Sequence, residues 1–348
     1  MTDRKKVAIW LLTGVFLVIT MVVIGGITRL THSGLSMVNW KPISGTLPPL
    51  NETQWMAEFE NYKTSPEYKI KNYHFTVDEF KSIFWWEYIH RLLGRIIGFV
   101  FLIPFLYFLF TNKIKDKRLM KNLIVIFFLG GLQGFIGWFM VKSGLVNDPN
   151  VSHFRLAIHF ITALFLCCYI LWIALKLLYP EKDFVGEKLK SFKKWTNISI
   201  IITVIQIIYG AFVAGLKAGL IYGTFPKMGD SWIASEIPSR LNQIGVLTFV
   251  EDPISVQFVH RWIAVLVVLS VGVLIWKAKK VSLKGRQFRL VTWLGIIVVF
   301  QFVLGVLTLL MHVPVTLGVL HQLGAVALLI TLVITRYFFR SENKPFLT

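Results

Sequence analysis

The chain has 348 residues, of which 55% are hydrophobic and only 16% are charged, so its composition excludes an ordinary soluble domain. Its 37 basic and 18 acidic residues give a net charge of +19, which taken alone suggests a nucleic-acid partner. The basic residues are concentrated in alternate connections between apolar runs, so they indicate membrane topology, and we predict no nucleic-acid binding.

Eight apolar runs approach or exceed the roughly 20 residues that a helix needs to cross a lipid bilayer. In chain order they cover residues 7–27, 88–111, 119–142, 155–178, 194–215, 256–277, 290–311 and 316–338. The sequence therefore predicts an all-α integral membrane protein with eight transmembrane helices. The positive-inside rule places both termini in the cytoplasm. The first run is too long for a cleaved signal and lacks the features of a transit peptide, which favours a bacterial cell (inner) membrane.

The long connection 28–86 lies on the outer side in this topology. It contains two segments with amphipathic helical spacing, NETQWMAEFENYK and FTVDEFKSIFWW, which are typical of short helices at a membrane surface. Residues 28–86 form either a lid over a site in the N-terminal half or a plain connector. In the C-terminal half, WIASEIPSRLNQIG has the same character.

The last four runs repeat the first four. YIHRLLGRIIGF in the second run corresponds to FVHRWIAVLVVL in the sixth, LQGFIGWF in the third to FQFVLGVL in the seventh, and RLAIHF in the fourth to LGVLHQ in the eighth. Because each half has an even number of runs, both halves have the same orientation in the membrane. We predict two pseudo-symmetric four-helix bundles related as a parallel repeat, with an N-terminal half at 1–180 and a C-terminal half at 181–348.

Each half carries one pair of histidines within its apolar runs. The pairs are His90 with His159 and His260 with His321. Ionisable groups in membrane helices are costly and mark functional sites. All four open their runs from the outer side, so we expect them at one level towards the outer face. Two facing imidazoles in a helix bundle suit the axial positions of a haem iron. The alternative for a single histidine is a core residue that is hydrogen-bonded to a neighbouring helix.

The halves differ three residues before the first histidine of each pair, where Glu87 corresponds to Gln257. Since only the carboxylate can take or hold a proton, we hypothesise acid–base chemistry in the N-terminal half and electron storage in the C-terminal half. The alternative is that Glu87 merely pairs with Arg91 or caps its helix. Arg91, Arg95 and Arg261 lie close to the histidines, where they either bind haem propionates or extend to the membrane interface.

Several long strings resemble the heme A synthase family, of the type found in alphaproteobacteria and mitochondria. They are GGITRLTHSGLSMVNWKPISGTLPPL, YKTSPEY, FKSIFWWEYIHRLLGR, VAGLKAGLIYGTFPKM and VQFVHRW, and the resemblance covers nearly the whole chain. It implies an oxidoreductase that converts the C8 methyl group of heme O to a formyl group, giving heme A for cytochrome oxidase assembly. Two successive hydroxylations are implied, through heme I, with water as the source of oxygen.

The resemblance also implies residue roles. It makes Glu87 the catalytic acidic residue, which accepts a proton and stabilises positive charge, and it makes His90 and His159 catalytic residues that bind the heme O iron. It makes His260 and His321 the ligands of a resident heme b. Electrons then leave through heme b to an unidentified acceptor, and heme O synthase is an expected partner, while an oligomer is compatible with the sequence. Two other classes stay open from the residues alone: a diheme b-type electron-transfer cytochrome, and a transporter built from parallel repeats.

Overall fold

The computed structural model describes residues 2–39, 44–145, 149–180, 188–280, 283 and 285–339, and we number twelve α-helices within these ranges. The long helices are α1 (Asp3–Leu30), α4 (Val77–Phe110), α5 (Lys117–Gly144), α6 (His153–Leu178), α7 (Lys188–Gly215), α10 (Pro253–Lys280), α11 (Gly285–Leu310) and α12 (Val315–Phe338). The short helices are α2 (Glu52–Lys63), α3 (Pro66–Ile70), α8 (Glu236–Ile244) and α9 (Thr248–Glu251).

The eight long helices of the described residues are each long and apolar enough to cross a membrane. They coincide with the eight predicted runs, so the prediction of an all-α protein with eight membrane-crossing helices is confirmed. The arrangement as two bundles and the parallel repeat stay predictions.

Helix α4 begins eleven residues before the predicted start at residue 88. Its N-terminus is a capping box, in which Thr76 accepts a hydrogen bond from the backbone N–H of Glu79 and the Glu79 carboxylate accepts one from the N–H of Thr76. FTVDEFKSIFWW thus forms the first turns of α4, and the prediction of a separate surface helix there is wrong. The hydropathy pattern detects only the apolar part of a continuous helix, which explains the error. Helix α2 confirms the helical part of the prediction for NETQWMAEFENYK.

Aromatic side chains pack the segment around α2 against the start of α4. The buried side chains of this cluster are Phe59, Tyr62, Phe80, Ile83, Phe84 and Tyr88. Trp55 of α2 packs edge-on against Phe84, with ring centroids 5.0 Å apart. Such aromatic contacts add to the apolar area that each ring buries. The segment is therefore a folded element, and its function as a lid stays a prediction.

The chain divides into two compact units, Phe16–Ala163 and Met1–Val15 together with Leu164–Thr348. One histidine pair lies in each unit. In the second unit α7 packs against α10 and α12, and α11 packs against the same two helices, so the four close a ring around an apolar core. The functional division into residues 1–180 and 181–348 stays a prediction.

Candidate functional site

The first histidine pair lies on α4 and α6. His90 and His159 are both partly buried. Gln133 of α5 holds His159, because its Nε2 lies 3.1 Å from Nδ1 of the ring and 2.8 Å from the histidine carbonyl oxygen. The Thr162 hydroxyl donates to the other end of this amide over 2.7 Å.

The second pair repeats this arrangement on α10 and α12. His260 lies on α10 and His321 on α12, and both are partly buried. Gln301 of α11 places its Nε2 3.1 Å from Nδ1 of His321 and 2.9 Å from the carbonyl oxygen of that residue. Gly324 stands where the first pair has Thr162, and Oε1 of Gln301 is buried without a hydrogen-bond partner among the described residues. The glutamine–histidine contact is thus common to both halves, but only in the first half does a threonine hydroxyl bind the amide oxygen of the glutamine.

Each of the four imidazoles lies against a glycine of a neighbouring helix. The pairs are His90 with Gly25, His159 with Gly137, His260 with Gly210, and His321 with Gly305. A Cβ atom at Gly137 would lie 2.9 Å from Cε1 of its histidine, and one at Gly305 would lie 2.8 Å away, closer than real side chains approach. These glycines were not predicted as site residues. The signal that identifies two of them is the spacing QxxxG, present in both LQGFIGWF and FQFVLGVL.

Glu87 is buried, with 3% of its surface exposed, and its carboxylate accepts three hydrogen bonds. The Ser36 hydroxyl and the Met37 backbone N–H donate to Oε2 over 2.7 and 2.9 Å, and Arg91 forms an ion pair with Oε1. A buried carboxylate is costly unless it is paired and hydrogen-bonded, and here it is both. The pairing with Arg91 that the sequence offered as the alternative is present. The catalytic role of Glu87 stays a prediction.

Arg91 and Arg261 both bind the segment that follows the first helix of their own half. Arg91 donates through Nη2 to the Met37 carbonyl over 2.9 Å. Arg261 donates to the Tyr222 and Thr224 carbonyls over 2.9 and 2.8 Å. Each guanidinium therefore fixes a loop next to a histidine. A contact of either arginine with a propionate stays a prediction.

Two further predicted positions complete the comparison of the halves. Gln257, the counterpart of Glu87, donates to the Tyr222 carbonyl over 3.2 Å and accepts from Arg261 over 3.3 Å. The Glu87 carboxylate thus accepts from a loop hydroxyl and a loop N–H, whereas the Gln257 amide donates to a loop carbonyl.

Arg95 lies one turn beyond Arg91 on α4 and is partly buried. Its role in cofactor binding stays a prediction.

A buried polar cluster lies in the segment that precedes α4. The Tyr62 hydroxyl accepts from Asn72 over 2.7 Å and donates to the Glu67 carboxylate over 3.3 Å. Burial raises the pKa of Tyr62 above its ordinary value, and the nearby charge of Glu67 raises it further. This cluster joins α2 to α3.

Paired imidazoles in each half are the donor set that a haem iron would require. Within the described ranges, no group of three or more His, Cys, Asp or Glu side chains is placed to hold a metal ion. Two imidazoles leave a bare ion short of ligands, whereas a porphyrin brings its own equatorial nitrogens and needs only axial ones. His260 also has a buried Nδ1 that lacks a hydrogen-bond partner in this part of the chain.

Comparison with known proteins gives a consistent family assignment. The profile of the COX15-CtaA family, described as cytochrome oxidase assembly protein, matches residues 8–333. The chain is 48% identical over 341 residues to the heme A synthase of Flavobacterium psychrophilum, covering 97% of this chain and 99% of that protein. It is 41% identical over 341 residues to the heme A synthase of Rickettsia felis, covering 97% and 98% of the two chains. The heme A synthase of Wolbachia pipientis is 42% identical over 327 residues, covering 92% and 89%.

Proposed function

The chain belongs to the COX15-CtaA family of cytochrome oxidase assembly proteins, and we propose that it is a multi-pass membrane enzyme of heme A biosynthesis. The proposed reaction is that of a heme A synthase, oxidation of the C8 methyl group of heme O to a formyl group. The observation that carries the proposal is the repeated Gln–Gly–His arrangement on α5–α6 and α11–α12, because it offers two equivalent haem sites in one chain. The relatives named heme A synthase supply the chemistry.

The proposed reaction proceeds in two hydroxylations. In the first, the methyl carbon loses two electrons and a proton, bonds the oxygen of water, and a second proton is released, which gives the alcohol heme I. The second hydroxylation gives a gem-diol, which loses water to leave the formyl group. The methyl group and one net water thus become a formyl group, four electrons and four protons.

In this proposal the N-terminal half binds the substrate. His90 and His159 hold the iron of heme O, and Glu87 acts on the C8 methyl group. A carboxylate held by three donors is a preorganised negative charge, which stabilises positive charge that develops on the methyl carbon. Oε1 of Glu87 accepts only from Arg91 among the described residues, so it keeps a lone pair that can accept a proton.

The C-terminal half receives the electrons. His260 and His321 hold the iron of heme b, which supplies a one-electron carrier when bound. Gln257 stands where the first half has Glu87, so this half lacks the carboxylate at the corresponding position. Arg91, Arg95 and Arg261 are proposed to contact propionates. The electron acceptor and heme O synthase are proposed partners.

The proposed location is the bacterial inner membrane with both termini in the cytoplasm. The basic connections between the long helices support this orientation, because Lys and Arg accumulate on the cytoplasmic side. The four histidines then lie towards the outer face.

The test is production of heme A in a host that makes heme O but has no heme A synthase of its own. Haems extracted from the purified protein are separated by chromatography. Wild type is expected to contain heme b and heme A. Glu87→Gln is expected to contain heme b and heme O without heme A, while Glu60→Gln, an exposed carboxylate on α2, serves as the matched control. Recovery of heme b alone from wild type would instead identify a diheme b-type cytochrome.

A further inference from the structure

An open groove lies at the N-terminal end of α5, in the connection from α4. Its volume is about 460 Å³, within the range of roughly 300–1,000 Å³ that is typical of small-molecule sites. Three lysines line it, Lys115, Lys117 and Lys121, and its other lining residues are apolar. At about 1.5 Å per residue, Lys117 lies about 24 Å along α5 from Gln133, which contacts His159. The groove is therefore separate from the histidine pairs.

The charged and apolar side chains are segregated along one face of α5. Lys117 and Lys121 lie one turn apart at the start of the helix. Ile124 and Phe128 continue the same face into the apolar part of this membrane-crossing helix, and both are exposed. Because an α-helix rises 1.5 Å per residue, Phe128 lies about 10 Å beyond Lys121 along the axis. The face thus carries positive charge at the helix end and an apolar track below it.

The three lysine amines have no partner within the described part of the chain. None of them forms a hydrogen bond, an ion pair or a ring contact there. The neighbouring acid, Asp116, caps α5 instead, because its Oδ1 accepts a hydrogen bond from the Arg118 backbone N–H over 2.7 Å. Residues 111–121 contain five basic residues and only this one acid. Cations in the first turn also oppose the helix dipole, and a bound anion offsets both effects.

The corresponding connection of the C-terminal half provides aromatic partners for its cations. Arg286, in the first turn of α11, lies over the rings of Tyr179 and Phe338, with its guanidinium carbon 4.5 and 4.6 Å from their centroids. Nζ of Lys280, at the end of α10, lies 3.9 Å from the ring centroid of Trp276. These cations are balanced by cation–π contacts within the chain. The lysines of the groove remain available to an external anion.

We propose that the groove binds one anionic phospholipid, with its phosphate among Lys115, Lys117 and Lys121 and an acyl chain along Ile124 and Phe128. The connection lies on the predicted cytoplasmic side, where anionic lipids attract basic segments. A soluble phosphate ester leaves the apolar track uncovered. A zwitterionic lipid brings a cation of its own, which the lysines repel. The proposal is independent of the haem chemistry.

The experiment measures lipid binding to the purified protein by native mass spectrometry, with phosphatidylglycerol and phosphatidylcholine as the probes. Wild type is expected to bind one phosphatidylglycerol in preference to phosphatidylcholine. Lys117→Gln combined with Lys121→Gln should weaken phosphatidylglycerol binding by about 30-fold, because each lysine near an anionic head group contributes roughly fivefold. Lys117→Arg combined with Lys121→Arg keeps both charges and should retain most of the binding.

The matched control is Lys279→Gln combined with Arg289→Gln, which removes the same charge from exposed positions at the corresponding connection of the C-terminal half. It should leave phosphatidylglycerol binding unchanged. An equal loss in this control would overturn the proposal, since the lipid would then respond to net charge alone. Undiminished binding in the double glutamine variant of the groove would overturn it as well.

Two further measurements complete the test. Glycerol phosphate, which has the phosphate but no acyl chain, should not displace phosphatidylglycerol at equal concentration. Displacement would show a phosphate site without lipid specificity and would contradict the proposal. If the double glutamine variant does not fold, Lys115→Gln decides the question, because it changes an exposed loop residue that precedes α5. It should weaken phosphatidylglycerol binding by roughly fivefold, and binding equal to that of wild type would refute the assignment.

Discussion

The glycines that lie against the histidine rings give the sharpest structural prediction, because Gly137 has a neighbour on the same helix where an added Cβ meets nothing. At Gly137 of α5, an added Cβ would lie 2.9 Å from Cε1 of His159, whereas at Gly134, one turn earlier, it would have no neighbour within 4 Å. Gly137→Ala and Gly134→Ala gain the same helix propensity, up to about 1 kcal/mol. The difference between them therefore measures the contact with the imidazole.

The size of that difference follows from packing. Overpacking of a filled site typically costs about 1–3 kcal/mol. If the ring moves to relieve the contact, the cost appears as weaker axial ligation, by roughly 5-fold to 150-fold in haem affinity. Gly305→Ala should have the same effect on heme b, because its Cβ would lie 2.8 Å from Cε1 of His321. Gly272→Ala on α10 is the corresponding control, since nothing lies within 4 Å of that position.

The assay is titration of each purified variant with haem, followed by the low-spin absorption bands, with circular dichroism to verify that helix content is unchanged. Gly137→Ala should lose the N-terminal haem selectively, and Gly305→Ala the C-terminal one. If Gly137→Ala and Gly134→Ala bound haem with equal affinity and identical spectra, the imidazole would not occupy the space that Gly137 leaves, and the reasoning from this glycine contact would be refuted.

Three further predictions concern contacts around the sites. Arg261→Ala should expose the segment 222–227 to proteolysis, because its carbonyls lose their donor, and mass spectrometry of the fragments would detect the cleavage. Tyr62→Phe should lower stability by about 1–3 kcal/mol in a thermal melt. Because the pKa of Tyr62 is raised in the folded state, wild type should also lose stability as pH rises above about 10, and the variant should lose less. Gly324→Ala should displace Gln301, because the new Cβ would overlap Oε1 of that residue, and it should lower heme b content in extracted pigments.

The eight membrane helices were predictable from sequence because a bilayer-spanning helix requires a long apolar run, and such runs are visible without tertiary information. The polar first turns of α4 were not, because they are stabilised by the Thr76–Glu79 capping box and by aromatic contacts with α2. These turns lie in FTVDEFKSIFWW, whose spacing is typical of a surface helix although the segment continues into the membrane helix.

The histidine pairs were predictable because an ionisable residue in an apolar run is unusual and here occurs in duplicate. The residues that contact these histidines were harder to predict. Gln133 and Gln301 are visible as repeat positions, but their contacts with His159 and His321 join different helices, which only the packed structure shows. The loop carbonyls bound by the arginines were also missed, since backbone acceptors leave no trace in a side-chain pattern.

The most direct test of the two-site assignment is chromatography of extracted haems, together with a redox-resolved optical spectrum, on wild type and on His159→Ala and His321→Ala. We predict that His321→Ala loses heme b and retains the pigment of the N-terminal half, and that His159→Ala loses heme O and heme A while keeping the heme b spectrum. Loss of the same pigment from both variants, or retention of all pigments with unchanged spectra in either one, would contradict it.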